Sequence, residues 1–211
     1  MYSKSIYNKL IFFILSLIIL FVPLAHTDKI PNGNMEAKTF LFCLFNSLFF
    51  VFFLFIKPTK RTTIIFHKTD FFVFLLSLYI VFTPAFRKTS LTGGHYELIG
   101  LTILYFIVRS ISIQYFYKLF FIIIISGLIQ AIIGVLQHIG LITSHNSFFN
   151  ITGGFNNPGP LAGFLSLVLL ISFSFYINNW QEHINIKKLN NLHLREVLQI
   201  SIFFYMFNAL L

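Results

Sequence analysis

"KLFFIIIISGLIQAIIGVLQHIG", residues Lys118–Gly140, is the stretch whose reading decides the fold. Between Lys118 and His138 no residue is charged. A helical span of the ~30 Å hydrocarbon core takes roughly 20 such residues. Backbone groups in lipid find no water to bond, so a spanning segment is a helix or part of a closed barrel. The run is continuously apolar and lacks the alternation of a barrel strand. Further apolar runs fall at 9–25, 39–56, 70–86, 96–113, 159–177 and 197–211. The expected fold is all-α: a polytopic transmembrane helix bundle of about six full spans with a partial seventh.

Composition points the same way. Only 10% of the residues are charged and the mean hydropathy is +0.83, whereas a soluble domain carries about a quarter charged residues. The net charge of +9 would suggest nucleic acid in a soluble chain; here its placement makes it a topology signal, and no nucleic-acid partner is expected. With the N-terminus in the cytoplasm, eleven basic residues fall inside and only Lys29, Lys38, Arg87 and Lys88 outside. That bias makes 26–38, 87–95 and 138–158 the outer loops of a single transmembrane domain, 1–211. The last run stops at Leu211 after about 15 residues, short of a full span. The expectation is therefore the front part of a longer protein. The lone Cys43 forms no intramolecular disulfide.

The quoted span is also patterned. Gly127, Gln130, Ala131, Gly134, Gln137 and His138 fall within an arc of roughly 120° at 100° per residue. Two roles suit that face: close helix packing through small residues and amides, or a polar cavity lined by Gln130, Gln137 and His138. In the next run Gly159, Ala162, Gly163 and Ser166 share a face, so the two helices are expected to pack through their small sides.

Between them lies "ITGGFNNPGPLAGFLSL", Ile151–Leu167. Asn157 suits an N-cap and Pro158 the first helical position. Gly153 and Gly154 permit backbone shapes closed to other residues. The expected product is a rigid turn presenting free N–H groups at a helix start, at Asn157, Pro158 and Gly159, where anions and phosphates are attracted. Arg87 and Lys88, outside the membrane against the charge bias, suit either a solvated flank or a phosphate contact. His95 and Glu97 make a weak acid/base pair. His145 and the remaining histidines carry no specific signal, and no metal-ligand spacing, nucleotide loop or nucleophile signature is present.

"SGLIQAIIGVLQHIGL" followed by "ITGGFNNPGPLAGFLSL" resembles the O-antigen ligase and polymerase superfamily of bacterial envelopes. Gly134, Leu136 and Gln137 match its first motif. Gly154, Phe155, Asn157, Pro158, Ala162 and Leu165 match its second. Gly159 departs from the family's usual asparagine, which weakens a side-chain role there. The resemblance spans roughly 70–211 and implies a multi-pass protein of the bacterial inner (plasma) membrane. It implies glycosyl transfer from an undecaprenyl-pyrophosphate-linked glycan to lipid A–core sugar, to another glycan repeat or to a protein hydroxyl. A general base and cations at the departing diphosphate would serve that reaction, with no metal or nucleotide cofactor. The family's catalytic arginine and histidine positions have no counterpart here. Arg87, Lys88 and the helix start at Asn157–Gly159 are the residues left to meet the diphosphate. The other readings are a transporter or flippase, whose broken helices this turn suggests, and a non-catalytic membrane subunit.

Overall fold

The computed structural model describes residues 4–27, 33–55, 67–88, 90, 92–144, 146–177 and 191–210. Seven α-helices are described: α1 (Lys4–Phe21), α2 (Gly33–Phe55), α3 (Lys68–Arg87), α4 (Gly93–Ser110), α5 (Ile113–His138), α6 (Pro158–Ile177) and α7 (Asn191–Leu210). Each expected run thus lies on a helix. Among the described residues three helices are long and apolar enough to cross a membrane, over Met35–Phe52, Ile113–His138 and Pro158–Ile177, fewer than the six spans expected. Of the other helices, α4 carries Glu97 and Arg109 within its 18 residues, and Ile6–Phe21 of α1 is a shorter apolar helix. α2 starts at Gly33, with Glu36 in its first turn, where a carboxylate suits the positive helix end. Several of the basic residues assigned to the inside, Lys57, Lys60, Arg61, Lys187 and Lys188, lie outside the described residues.

The chain divides into two compact units. The first holds Met1–Ile18 and Thr39–Tyr115. Within it α3 and α4 run antiparallel, held at one end by a buried ionic cluster. The Asp70 carboxylate, fully buried, pairs with Arg109, accepts from the Tyr105 hydroxyl at 2.9 Å and from the His67 N–H at 2.7 Å. Midway, the Ser77 and Thr102 hydroxyls meet at 2.9 Å. A hydrogen bond to a charged group contributes about 1.5–3 kcal/mol. Arg109 and the His67 N–H still hold the carboxylate when the phenol is gone. Tyr105→Phe is therefore expected to cost less than that range, about 1 kcal/mol, read as a lower thermal midpoint in detergent with helicity unchanged. α3 otherwise buries little: Phe72, Leu76, Tyr79 and Phe86 are all exposed.

The second unit holds Ile19–Lys38 and Phe116–Leu211. Its core joins Ile124 and Ala131 of α5 to Leu161, Leu165, Val168 and Phe175 of α6 and Leu198 and Tyr205 of α7. The Tyr205 hydroxyl donates to the Ile124 carbonyl at 2.6 Å, and the Asn208 amide donates to the Ala131 carbonyl at 3.0 Å. On α5 the small face is buried: Gly127, Gln130, Ala131, Gly134 and Gln137. A Cβ on Gly127 would stand 2.7 Å from Val168 Cγ1, so α5 and α6 do approach closely there. On α6, however, the packed face is the leucine and valine side. Gly159, Ala162, Gly163 and Ser166 are exposed, so the expected small-to-small hairpin is not formed. The larger side chains bury more apolar area per residue, which is the stronger drive wherever a partner can receive them.

Candidate functional site

The α5–α6 connection does not simply cap two helices. It leaves α5 at His138, and the Gly154 N–H returns to donate to Gln130 Oε1 at 2.7 Å. Gln130 stands eight residues before His138, so the chain re-enters about 12 Å toward the middle of α5 at ~1.5 Å per residue. Non-helical backbone at such depth survives only when buried in protein with its polar groups satisfied. Thr152, Gly153 and Gly154 are buried, and two glutamines supply the partners. Gln137 Oε1 accepts from the N–H groups of both Thr152 and Gly153 at 2.8 Å. Gln137 Nε2 donates to the Gly153 carbonyl at 3.0 Å. The Lys38 ammonium donates to the Gly154 carbonyl at 2.7 Å and the Ala25 carbonyl at 2.8 Å, and lies 5.5 Å from the centre of the Phe155 ring. Gly153 takes φ +58°, and a Cβ at Gly154 would meet the Pro23 carbonyl oxygen at 2.8 Å. Both positions therefore need glycine.

At the start of α6, Asn157 Oδ1 accepts from the Gly159 N–H at 2.8 Å, the geometry of an N-cap with Pro158 in the first helical position. The free donors expected there are missing. Pro158 and Pro160 have no N–H, and that of Gly159 is taken by Asn157. Three of the four orphan donors of a helix start are thus absent or used, which removes the basis for an anion site built on Asn157, Pro158 and Gly159. The doubled proline, with a cap already closed, is the signal in the sequence that points away from it.

Beside this turn a cavity of about 480 Å³ opens within the second unit. Its walls are apolar, from Ile151, Pro158, Leu161, Ala162, Leu165 and Leu169. His138, Asn150, Ser166, Tyr205 and Asn208 are the polar residues of the lining. The exposed small side of α6 is what leaves this volume open. Asn208 commits both amide hydrogens, to the Ala131 and Phe204 carbonyls, while its buried Oδ1 has no hydrogen-bond partner. An apolar cleft with a few convergent polar groups is the usual form of a small-molecule site.

The polar face expected on α5 is therefore split. Gln130 and Gln137 are buried and hold the loop, whereas His138 is exposed and lines the cavity. Lys88 is exposed with φ +51°; Arg87 ends α3, and its side chain lies outside the described residues. Both belong to the first unit, and Asn157, Pro158 and Gly159 to the second. His95 and Glu97 do not form a pair: His95 Nδ1 accepts from the Thr92 N–H at 3.2 Å, and Glu97 bonds the Thr39 hydroxyl. His145 lies outside the described residues. Among the described residues no group of three or more His, Cys, Asp or Glu could hold a metal ion. Lys38 and Asn208 carry no specific signal in the sequence, since the partners that give them a role, Gly154 and Ala131, lie far off along the chain.

Among the described residues, fold and site together define a helical architecture without strands, with three helices long and apolar enough to cross a membrane and a buried, glutamine-held return loop beside a cavity. No family model, curated protein or solved structure matches the chain.

Proposed function

We propose that this chain is a multi-pass protein of the bacterial inner membrane that takes part in glycosyl transfer from an undecaprenyl-pyrophosphate-linked glycan, in the manner of O-antigen ligases and polymerases. The observation that carries the reading is the pair of quoted motifs together with the cavity they border. Gln137 of the first motif holds Gly153 next to Gly154 of the second, and Pro158, Ala162 and Leu165 of the second line the cavity. Apolar walls suit the lipid end of such a donor. The helices beyond the three clear spans complete a bundle of about six, with the N-terminus in the cytoplasm. Arg87 and Lys88 are assigned to the departing diphosphate, as cations placed outside the membrane; Pro158 at the α6 start serves as a rigid wall rather than an anion site. The acceptor is a lipid A–core sugar, a glycan repeat or a protein hydroxyl. The scheme uses membrane lipid and no nucleic acid, metal or nucleotide cofactor.

The test is a gel of surface polysaccharide from cells carrying Ser166→Trp, which fills the cavity from an exposed position, and the double change Arg87→Ala, Lys88→Ala. Shortened or uncapped glycan in both is the expected result. A wild-type profile in the first removes the cavity from the reaction; a wild-type profile in the second removes the two cations. One observation favours a second reading, a transporter or flippase: buried non-helical backbone at the depth of Gln130 is a device that transporters use to build a substrate site. Chain-dependent movement of a lipid-linked glycan across vesicles, without glycan transfer, would select it. A non-catalytic membrane subunit would show neither activity by itself.

A further inference from the structure

We infer that the exposed apolar side chains of the α5–α6 connection, Ile139, Leu141, Ile142, Phe148 and Phe149, are seated in the lipid interface rather than in water. The inference rests on the reading of α5 and α6 as membrane spans. Three observations carry it. The connection is arranged inside out: Leu141 and Phe148 are 71% and 88% exposed, and Ile139, Ile142 and Phe149 are exposed beside them. Two of its polar side chains, Ser144 and Asn146, turn to the loop itself, while Thr143 and Ser147 are exposed. The Ser144 and Thr152 hydroxyls meet at 3.0 Å, the Asn146 amide donates to the Asn156 carbonyl at 2.8 Å, and Asn146 Oδ1 accepts from the Phe148 N–H at 2.8 Å. A loop in water does the reverse, because exposed apolar area is costly there and polar groups are readily solvated.

Second, no Asp, Glu, Lys or Arg occurs between Lys118 and Glu182. Both helices and their connection thus form one uncharged stretch. A connection facing bulk water or a charged protein partner has no reason to exclude all four residue types, whereas one lying at the acyl boundary does. Third, the connection begins and ends on two helices fit to cross a membrane, so its apolar side chains continue the lipid-facing surface of the helices. Phe149 also lines the cavity, which makes the seated loop one wall of that cavity. An amphiphile already in the bilayer therefore meets the cavity without first passing into water.

Tryptophan fluorescence of the full chain in phosphatidylcholine vesicles tests this. Trp180 is the chain's single tryptophan; in a Trp180→Phe background, Phe148→Trp is compared with Leu170→Trp, an exposed position on α6. Leu141→Trp is the second loop probe should Phe148→Trp fail to fold. The expected result is blue-shifted emission for both sites. Lipids brominated near the glycerol end should quench the loop probe most, lipids brominated toward the chain terminus should quench Leu170→Trp most, and aqueous iodide should quench neither. If Leu170→Trp is lipid-quenched but the loop probe responds only to iodide, the loop faces water and the inference is overturned. A loop probe shielded from both quenchers is covered by protein, which overturns it equally. If Leu170→Trp itself is not quenched by lipid, the reading of α6 as a span fails instead.

Discussion

Gln137→Leu is expected to destabilise the second unit by about 3 kcal/mol or more, because it strands three buried backbone groups at roughly 1–3 kcal/mol each. The groups are the N–H of Thr152, the N–H of Gly153 and the carbonyl of Gly153, all bonded to the one carboxamide. Leucine nearly matches glutamine in size, so the loss is of hydrogen bonds rather than of volume. Their burial matters more than their number: near water each group would find a new partner, but Thr152 and Gly153 are covered. Gln137→Glu keeps the acceptor oxygen and loses the donor, so its effect is expected to be smaller than that of leucine. Thermal unfolding in detergent, followed by circular dichroism, gives the order wild type, Glu, Leu. Limited proteolysis of the α5–α6 connection should accelerate in the same order. Equal stability of Gln137→Leu and wild type would show that the loop is not held by this side chain.

Gly153→Val is the second large effect. The residue sits at φ +58°, where an L side chain costs about 1–2 kcal/mol, and β-branching makes that conformation worse. Space is short as well: the new Cβ would stand 2.8 Å from Leu161 Cδ1 and 2.9 Å from Gln130 Oε1. Displacing Gln130 would also release the Gly154 N–H, so strain and a lost buried hydrogen bond act together, for about 3 kcal/mol in all. Gly163 provides the contrast. It lies in α6, where an added Cβ would meet nothing within 4 Å, and Gly163→Ala is expected to stabilise by about 0.5–1 kcal/mol through helix propensity. If the two changes were equally harmful, the cause would lie in a general intolerance of α6 and not in the turn.

Much of this is legible in the chain. The absence of charge in α5 after Lys118, its small and amide positions one turn apart, and Asn157-Pro158 before an apolar run each name a local structure, and local structure is what such patterns encode. Three things are not legible, for physical reasons. The destination of Gln130 and Gln137 stays open in the sequence because a carboxamide satisfies a neighbouring helix, a cavity or a loop equally well, and only the fold says which is near. The outward turn of Gly159, Ala162, Gly163 and Ser166 is hidden because small residues permit close approach without requiring it, while Leu161, Leu165 and Val168 on the adjoining side have more area to bury. Asp70 and Arg109 lie 39 residues apart in the sequence, and their pairing depends on how α3 and α4 run back along each other.

Release of undecaprenyl pyrophosphate from a radiolabelled lipid-linked glycan tests the proposed reaction most directly. Membranes from cells with the intact gene are compared with membranes from cells lacking it and from cells carrying Ser166→Trp. The expected result is release coupled to glycan transfer in the first, and loss of both in the other two. Equal release and transfer with and without the gene would contradict the proposed function outright.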